Sequence, residues 1–280
     1  MKFLYVSDLH GDKLKYEKIL SYCVDNNISN LVVGGDLFSK IATYRIPVQK
    51  EFIHNYLYDY FKRLNSYGIK YIGIVGNDDL VIPCQDYYEI IKEFPLVFDI
   101  NQKKVDIDGI SFIGLNYVLD APFKRKDNVA LEKNYIMPNQ VSDVIYVDNC
   151  TRTISKEEWV EYRKNCPMME DLLDNLPKPT VNNKTIYVFH DPPYGVGLDV
   201  CYGNIYAGSK AIYNFLKDSN AYMSLHGHIH ESYELSGVWK VLIGNTIAIQ
   251  TGQTDLNANI LHCVLIDTDK NTQDFLKLEI

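Results

Sequence analysis

The residue types that bind divalent metal ions recur along this chain, each at or just after the end of a short apolar run. They are Asp8, His10, Asp36, Asn77, His190, His228 and His230. Carboxylate, imidazole and amide ligands suit manganese, iron, zinc or cobalt better than copper or a calcium cage of oxygens. The sequence therefore predicts a divalent metal site that uses no thiolate.

The elements that must position these residues alternate between strand and helix patterns. Lys2–Val6, Asn30–Val33 and Tyr71–Val75 are predicted as strands, and Lys13–Val24 and Val48–Tyr67 as amphipathic helices. Such alternation favours right-handed crossovers and a parallel sheet. Because ligands bind outside the carboxyl ends of strands in such sheets, the candidate ligands are expected to meet there.

The pattern changes in the second half of the chain. From Asn116 to Asn149 the apolar residues have no regular spacing, so residues 116–149 are predicted as a lid or insertion. The whole chain, residues 1–280, is predicted as a single domain that contains this segment. Ser155–Leu176 is predicted as one helix that begins with a capping box. Closely spaced strands then follow, Glu231–Leu235 among them, and their short turns predict an antiparallel continuation.

Five segments of the chain occur in the order found in one known family. They are Asp8-x-His10, Gly35-Asp36, Gly76-Asn77, the lone His190 and Gly227-His228-x-His230. A lone Gly-Asp or Gly-Asn is usually only a turn, and an isolated His is usually a hydrogen-bonded core or surface residue. All five segments together resemble the calcineurin-like metallophosphoesterases, nearest to small bacterial and archaeal members. The resemblance implies an α/β fold, a four-layer αββα sandwich of two mixed β-sheets flanked by helices.

The resemblance also implies two divalent cations, with manganese expected first and iron, zinc, cobalt or nickel as alternatives. It assigns each cation four ligands: Asp8, His10, Asp36 and His230 for one, and Asp36, Asn77, His190 and His228 for the other. Asp36 would bridge two ions that lie about 3.5–4 Å apart in such centres. A hydroxide held between the ions would attack the phosphorus atom of a small phosphorylated substrate, for which a nucleotide is one candidate.

One position departs from the family pattern, which usually has a His directly after the Asn and uses it to protonate the leaving oxygen. Here Asp78 follows Asn77, and both are candidate catalytic and substrate-binding residues. An anionic Asp78 would repel a phosphate dianion more than a diester monoanion. The sequence therefore favours phosphodiesters or activated phosphate bonds over simple monoesters.

Two further residues are candidates for the chemistry. His226 is a candidate for the missing proton donor, with a buried structural His as the competing interpretation. Tyr194 follows a Pro-Pro pair after His190 and is predicted to contact substrate, for example by stacking on a base, while Lys210 is a candidate phosphate contact.

Composition limits the partners and the location. A net charge of −8 argues against a duplex nucleic-acid partner, which normally requires a basic face. Six cysteines without any CxxC pairing predict reduced, mostly packed thiols. Polar residues from Asp8 onward interrupt the apolar start before a signal-peptide core or membrane span could form, so a cytoplasmic location is expected. The oligomeric state stays open.

Two alternatives to a phosphoesterase of small substrates remain. The first is a non-catalytic protein-binding scaffold on the same fold, against which the intact ligand set argues. The second is a metal-dependent nuclease that acts on short single-stranded ends, which an acidic protein does not favour.

Overall fold

The computed structural model describes most of the chain. The described residues are 1–40, 45–121, 125–133, 144–147, 152–180, 183–253 and 259–280. Parts of the predicted lid, residues 122–124, 134–143 and 148–149, thus lie outside the described residues. The division into a single domain with a lid stays a prediction.

The first sheet has six strands in the order β18-β17-β1-β2-β3-β4. Four of its strands are parallel to one another: β1 (Lys2–Val6), β2 (Asn30–Gly34), β3 (Lys70–Ile74) and β4 (Val97–Asp99). The antiparallel hairpin of β17 (Ile260–Asp267) and β18 (Thr272–Glu279) joins at β1. The parallel half confirms the crossovers predicted from the alternating pattern.

The second sheet also has six strands, in the order β15-β16-β14-β11-β6-β5. Its strands are β5 (Lys104–Ile107), β6 (Ile110–Leu115), β11 (Lys184–Phe189), β14 (Met223–His226), β15 (Lys240–Ile243) and β16 (Thr246–Gln250). The two edge hairpins are antiparallel, as the short turns predicted. However, β16 pairs with β14 in parallel, so the antiparallel prediction for the C-terminal third was only partly correct.

Eight α-helices in the described part of the chain cover the outer faces. They are α1 (Lys13–Asp25), α2 (Arg45–Glu51), α3 (Tyr58–Ser66), α4 (Val81–Ile90), α5 (Lys156–Tyr162), α6 (Met169–Asp174), α7 (Lys210–Ser219) and α8 (Ser232–Ser236). A π-helical stretch, Phe52–Leu57, joins α2 to α3. No helix among the described residues is long and apolar enough to cross a bilayer.

The hydrophobic core has three layers that fix the order of the sheets and helices. In the middle layer, Phe3 and Ile72 of the first sheet pack with Phe112 and Val188 of the second. A second layer lies between the first sheet and α1, α3 and α4. A third lies between the second sheet, α6 and α7. This arrangement confirms the four-layer sandwich of two mixed sheets.

The region between the first and second halves contains short strands. β7 (Val118–Leu119) pairs in parallel with β8 (Val129–Ala130), and β9 (Val144–Val147) pairs antiparallel with β10 (Arg152–Ser155). The segment from residue 116 therefore has regular structure that the aperiodic sequence did not indicate. The small hairpin of β12 (Val200–Cys201) and β13 (Ile205–Tyr206) lies farther along the chain.

Two predicted elements were wrong. The single helix predicted over Ser155–Leu176 is broken between α5 and α6, because the residue before Pro167 is disfavoured in helical conformation. Its capping box, from Ser155 to Glu158, is present. The strand predicted over Glu231–Leu235 is the short helix α8, which ends where Gly237 adopts a left-handed conformation with φ +70°.

Five cysteines lie in the described residues and all five are free thiols. Cys23, Cys84 and Cys263 are buried, whereas Cys166 and Cys201 are partly exposed. Cys150 lies outside the described residues. The observed thiols fit the prediction of reduced, mostly packed cysteines.

Candidate metal centre

The candidate ligands lie in tight turns that follow parallel strands of both sheets. Asp8, His10, Asp36 and His228 all have positive φ angles, between +46° and +69°. Non-glycine residues rarely adopt this conformation and each costs on the order of 1–3 kcal/mol. Backbone hydrogen bonds between the turns hold it, including Asp8 N to Gly35 O at 3.0 Å and His10 N to Asp36 O at 2.9 Å.

Glycines in these turns let the ligands approach one another. A Cβ atom at Gly76 would collide with the side chain of Asp36, and one at Gly35 would lie 2.6 Å from Nδ1 of His190. The Gly-Asp and Gly-Asn pairs of the sequence are thus needed sterically.

Four of the predicted ligands form one compact cluster. Ligand atoms of Asp8, His10, Asp36 and His230 all lie within 4.8 Å of one another. Nε2 of His10 is 2.9 Å from Nε2 of His230 and 3.7 Å from Oδ2 of Asp36. Nε2 of His230 is 3.5 Å from Oδ1 of Asp8. The structure therefore brings together the four residues predicted to surround the first cation.

His190 lies against the other oxygen of Asp36, and the remaining two ligands, Asn77 and His228, lie next to His190. Nε2 of His190 is 2.9 Å from Oδ1 of Asn77 and 3.4 Å from Oδ1 of Asp36. The ring of His228 lies 5.4 Å from that of His190, between centroids. Asp36 thus has one oxygen in each group, which is the position expected of a bridging carboxylate.

The hydrogen-bonding chemistry of this centre fits divalent cations. Nδ1 of His190 donates to the carbonyl of Gly34 at 2.8 Å. In the neutral ring, Nε2 then carries a lone pair that faces the oxygens of Asn77 and Asp36. Buried Nδ1 of His10 has no hydrogen-bond partner among the described residues. Lone pairs that converge in this way require a proton or a cation between them, and this donor set suits transition metals.

The pKa shifts favour, for most of these groups, the protonation state that can bind a metal ion. Burial lowers the pKa of both His10 and His228 to about 3, so each ring is neutral. Burial would raise the pKa of Asp8 and Asp36, but neighbouring imidazoles outweigh it and hold both carboxyls ionised. For His190, burial opposes protonation, yet the Asp36 carboxylate raises its pKa to about 10. A cation bound there replaces that proton as the partner of Asp36.

Asp78 lies beside the first cluster but is held by an arginine. Its Oδ1 accepts a hydrogen bond from Nη1 of Arg45 at 2.8 Å, and its Oδ2 is 3.9 Å from Nδ1 of His10. Its backbone N–H donates to Oδ1 of Asp36 at 2.8 Å. Burial and then Asp36 raise the pKa of the Asp78 carboxyl, whereas Arg45 opposes the shift. Sequence reasoning did not find Arg45, which no local pattern connects to Asp78.

Asp79, also missed from the sequence, fixes two ligand turns to each other. Its carboxylate accepts hydrogen bonds from Leu37 N at 2.9 Å, Phe38 N at 2.7 Å and Gly76 N at 2.8 Å. The first two donors follow Asp36, and the third precedes Asn77. The signal available in the sequence was an acidic residue three positions after Gly76, but it looked like an ordinary turn residue.

His226 does not join the cluster. Its Nδ1 donates to the Asp191 carbonyl at 3.0 Å and its Nε2 accepts from Oγ of Ser224 at 2.9 Å. The side chain is fully buried, and burial lowers the pKa of the ring to about 4. The geometry therefore supports the structural interpretation and gives no support to His226 as proton donor.

Tyr194 lies near the exposed hairpin of β12 and β13, with its ring 6.0 Å from that of Tyr206. The ammonium of Lys210 lies 4.9 Å above the Tyr194 ring. Neither Tyr194 nor Lys210 is among the described residues that line the cavity at the metal centre. Their predicted contacts with substrate stay predictions.

A cavity of about 340 Å³ opens at the ligand cluster, within the usual range of small-molecule sites. Its floor includes the ligands Asp36, Asn77, His228 and His230.

Three cationic side chains line the same cavity: Lys40, Arg45 and Arg125. These three residues are here called the cationic wall. Lys40 and Arg45 lie close together in the chain, whereas Arg125 comes from a distant segment, and none of the three was identified from the sequence. A larger cavity, of about 1120 Å³, lies between α6 and α7 and contains none of the candidate ligands.

Solved structures share this architecture. TT1561 of Thermus thermophilus is 16% identical, with a TM-score of 0.58, and the match covers 99% of this chain and 98% of that one. A dimetal phosphatase from Danio rerio is 8% identical, with a TM-score of 0.53 and coverage of 100% and 96%. At these identities the likeness establishes the fold alone. A comparison with curated protein sequences gave no match.

The sequence also matches a family model, that of the calcineurin-like phosphoesterases, over residues 1–232. The matched range contains all seven predicted ligands and most of both sheets. This chain therefore belongs to the calcineurin-like phosphoesterase family.

Proposed function

We propose that this metal-dependent phosphoesterase hydrolyses phosphodiester or activated phosphate bonds in a small phosphorylated substrate, of which a nucleotide is one candidate. The observation that carries the proposal is the carboxylate of Asp36, which lies between two groups of candidate ligands. A family member with this ligand set holds two divalent cations, and manganese is the ion proposed first.

When bound, such cations supply a water nucleophile near neutral pH and neutralise the charge on the phosphoryl group. Asp8, His10, Asp36 and His230 would hold one ion, and Asp36, Asn77, His190 and His228 the other. Asn77 lines the cavity, where the N–H groups of its side-chain amide can orient the phosphate through a hydrogen bond.

The preference for diesters rests on the negative charge of Asp78, and the preference for activated bonds rests on the lack of an imidazole acid. All seven histidines are described, and the three that are not candidate ligands, His54, His226 and His262, do not line the cavity. Leaving groups that need little protonation are therefore favoured. Arg45 neutralises much of the charge of Asp78, so repulsion of a phosphate dianion contributes less than the sequence suggested.

A hydrolysis panel on manganese-reconstituted protein tests the proposal. The panel compares an aryl phosphodiester, an aryl phosphomonoester, and 2′,3′- and 3′,5′-cyclic nucleotides. We expect diesters to turn over faster than the monoester. We also expect Asp36→Ala and Asn77→Ala to abolish turnover, whereas Arg63→Ala, which breaks an exposed ion pair with Glu17, retains it.

Two results would contradict the proposal in different ways. Hydrolysis that persists in the presence of a strong chelator would exclude the metal-dependent mechanism. A monoester turned over much faster than every diester would leave the metal mechanism intact but refute the argument from the charge of Asp78.

The predicted cytoplasmic location and the exclusion of duplex nucleic acid stay predictions. No contact in the described residues favours the scaffold or the nuclease over the hydrolysis of a small substrate.

A further inference from the structure

Part of the segment predicted as a lid is anchored beside the metal centre. Residues 125–131, here called the anchored segment, include β8, which pairs with β7. The side-chain amide of Asn128 donates to the carbonyl of Gly76 at 3.2 Å, directly before the ligand Asn77. This part of the predicted lid is therefore a fixed wall of the site.

A buried ion pair holds the start of the anchored segment. The Lys126 and Asp120 side chains are fully buried, with Nζ 2.7 Å from Oδ1. Nε1 of Trp159 donates to the other oxygen of Asp120 at 3.2 Å, and the Lys126 ammonium lies 5.4 Å from the Trp159 ring centroid. A buried charge needs such partners, so Lys126 can occupy few other positions.

The anchor at Lys126 determines the position of its neighbour. Arg125 lines the metal cavity together with Lys40 and Arg45, although it comes from a different part of the chain. Lys126 and Asn128 fix the backbone on the C-terminal side of Arg125, and this limits the positions that Arg125 can take at the cavity. A guanidinium limited in this way suits two-point recognition of a phosphate or carboxylate.

Cationic and acidic side chains both line the cavity. Besides the ligands, the lining includes the cationic wall and two carboxylates, Asp78 and Glu231. Arg45 pairs with Asp78. The cavity can hold more than a single phosphoryl group, since its volume of about 340 Å³ falls in the range of sites for complete small ligands.

We propose that Arg125 is a specificity-determining residue that binds a second anionic group of the substrate, adjacent to the phosphate that is hydrolysed. The substrate class is then a phosphoric anhydride diester, in which two neighbouring phosphates link two organic groups. This inference rests on the proposed function for the position of the first phosphate. Lys126 is a positioning residue, because it acts on substrate only through Arg125.

The hydrolysis test compares two substrates that differ by one phosphate. They are two adenosines joined 5′ to 5′ through one phosphate and through two. We expect Arg125→Ala to lower kcat/KM for the two-phosphate compound by about tenfold or more, the range of a lost charge-assisted hydrogen bond, and to change that of the one-phosphate compound much less. Arg125→Lys should retain part of the preference, and Arg63→Ala all of it.

A binding test separates this inference from the proposed function. Manganese-loaded protein is titrated with adenosine 5′-monophosphate and with the 5′-diphosphate, and the ratio of the two Kd values is compared between wild type and Arg125→Ala. We expect the diphosphate to bind about tenfold more tightly to the wild type and the advantage to vanish in the variant. Circular dichroism confirms that the variant is folded.

The outcomes are distinct. If Arg125→Ala weakened the binding of the monophosphate and the diphosphate equally, Arg125 would lie at the hydrolysed phosphate and the inference would be overturned. The inference would also be overturned if the variant bound both compounds as the wild type does. Failure of the wild type to hydrolyse any compound would refute the proposed function, while the ratio of Kd values would still decide the role of Arg125.

Discussion

Replacement of Asp79 tests how the ligand turns are held in place without removing a ligand, because Asp79 is not itself a predicted ligand. In Asp79→Ala, three buried N–H groups, those of Leu37, Phe38 and Gly76, lose their acceptor. Each buried donor left unpaired costs about 1–3 kcal/mol, so the free energy of unfolding should fall by about 3 kcal/mol or more. Asp79→Asn can keep the two bonds made by Oδ2 and should lose only about 1–3 kcal/mol.

Urea unfolding followed by circular dichroism measures the change, with Asp25→Ala as the control because Asp25 is exposed at the end of α1. Manganese affinity, measured by calorimetry, should also fall in Asp79→Ala, because the turns of Asp36 and Asn77 lose their connection. If Asp79→Ala unfolded within about 0.5 kcal/mol of the Asp25 control and bound manganese like the wild type, the positioning role of Asp79 would be refuted.

The other predictions concern the anchor of the cationic wall and the packing of the ligand turns. Lys126→Met removes the buried ammonium partner of Asp120 but leaves Arg163, whose Nε lies 3.6 Å from Oδ2 of Asp120. The free energy of unfolding in urea should fall by about 1.5–3 kcal/mol, the range of a lost hydrogen bond to a charged group, whereas Lys92→Ala, at an exposed ion pair, should have little effect. Similar values for the two variants would contradict the anchor. Gly76→Ala should abolish manganese binding in calorimetry while circular dichroism shows a folded chain, since the new methyl group collides with Asp36. Gly109→Ala is the control for an added methyl group, because it meets open space there, although its positive φ adds backbone strain. Undiminished binding in Gly76→Ala would refute the steric argument.

The sequence predicted the ligand turns because their signals are local. A run of apolar residues followed by Gly-Asp or Gly-Asn indicates both a strand and a close approach of neighbouring turns at its end. The structure places Asp36 and Asn77 in such turns. The order of such turns along an alternating chain also implied the parallel half of the first sheet.

The errors arose where a local pattern fits two structures. Alternating residues in Glu231–Leu235 are compatible with a strand, but the left-handed conformation of Gly237 ends a short helix there instead. Pro167 was a visible signal for a break in the helix after Ser155, and helical spacing on both sides of it obscured that signal.

The residues around the ligands could not be predicted, because their position depends on how distant segments meet. Arg45 and Arg125 reach the cavity only through the packing of α2 and the anchored segment. Nothing in the neighbouring sequence of either arginine indicates a phosphate site. The same reason explains why His226, which shares a short segment with two ligands, lies elsewhere.

Location of the metal ions tests the central claim most directly. Crystals grown with manganese and measured at a wavelength that excites its anomalous signal should show two peaks. One should contact Asp8, His10, Asp36 and His230, and the other Asp36, Asn77, His190 and His228. A single peak, or peaks that Asp36 does not join, would contradict the dinuclear centre on which the proposed hydrolysis depends.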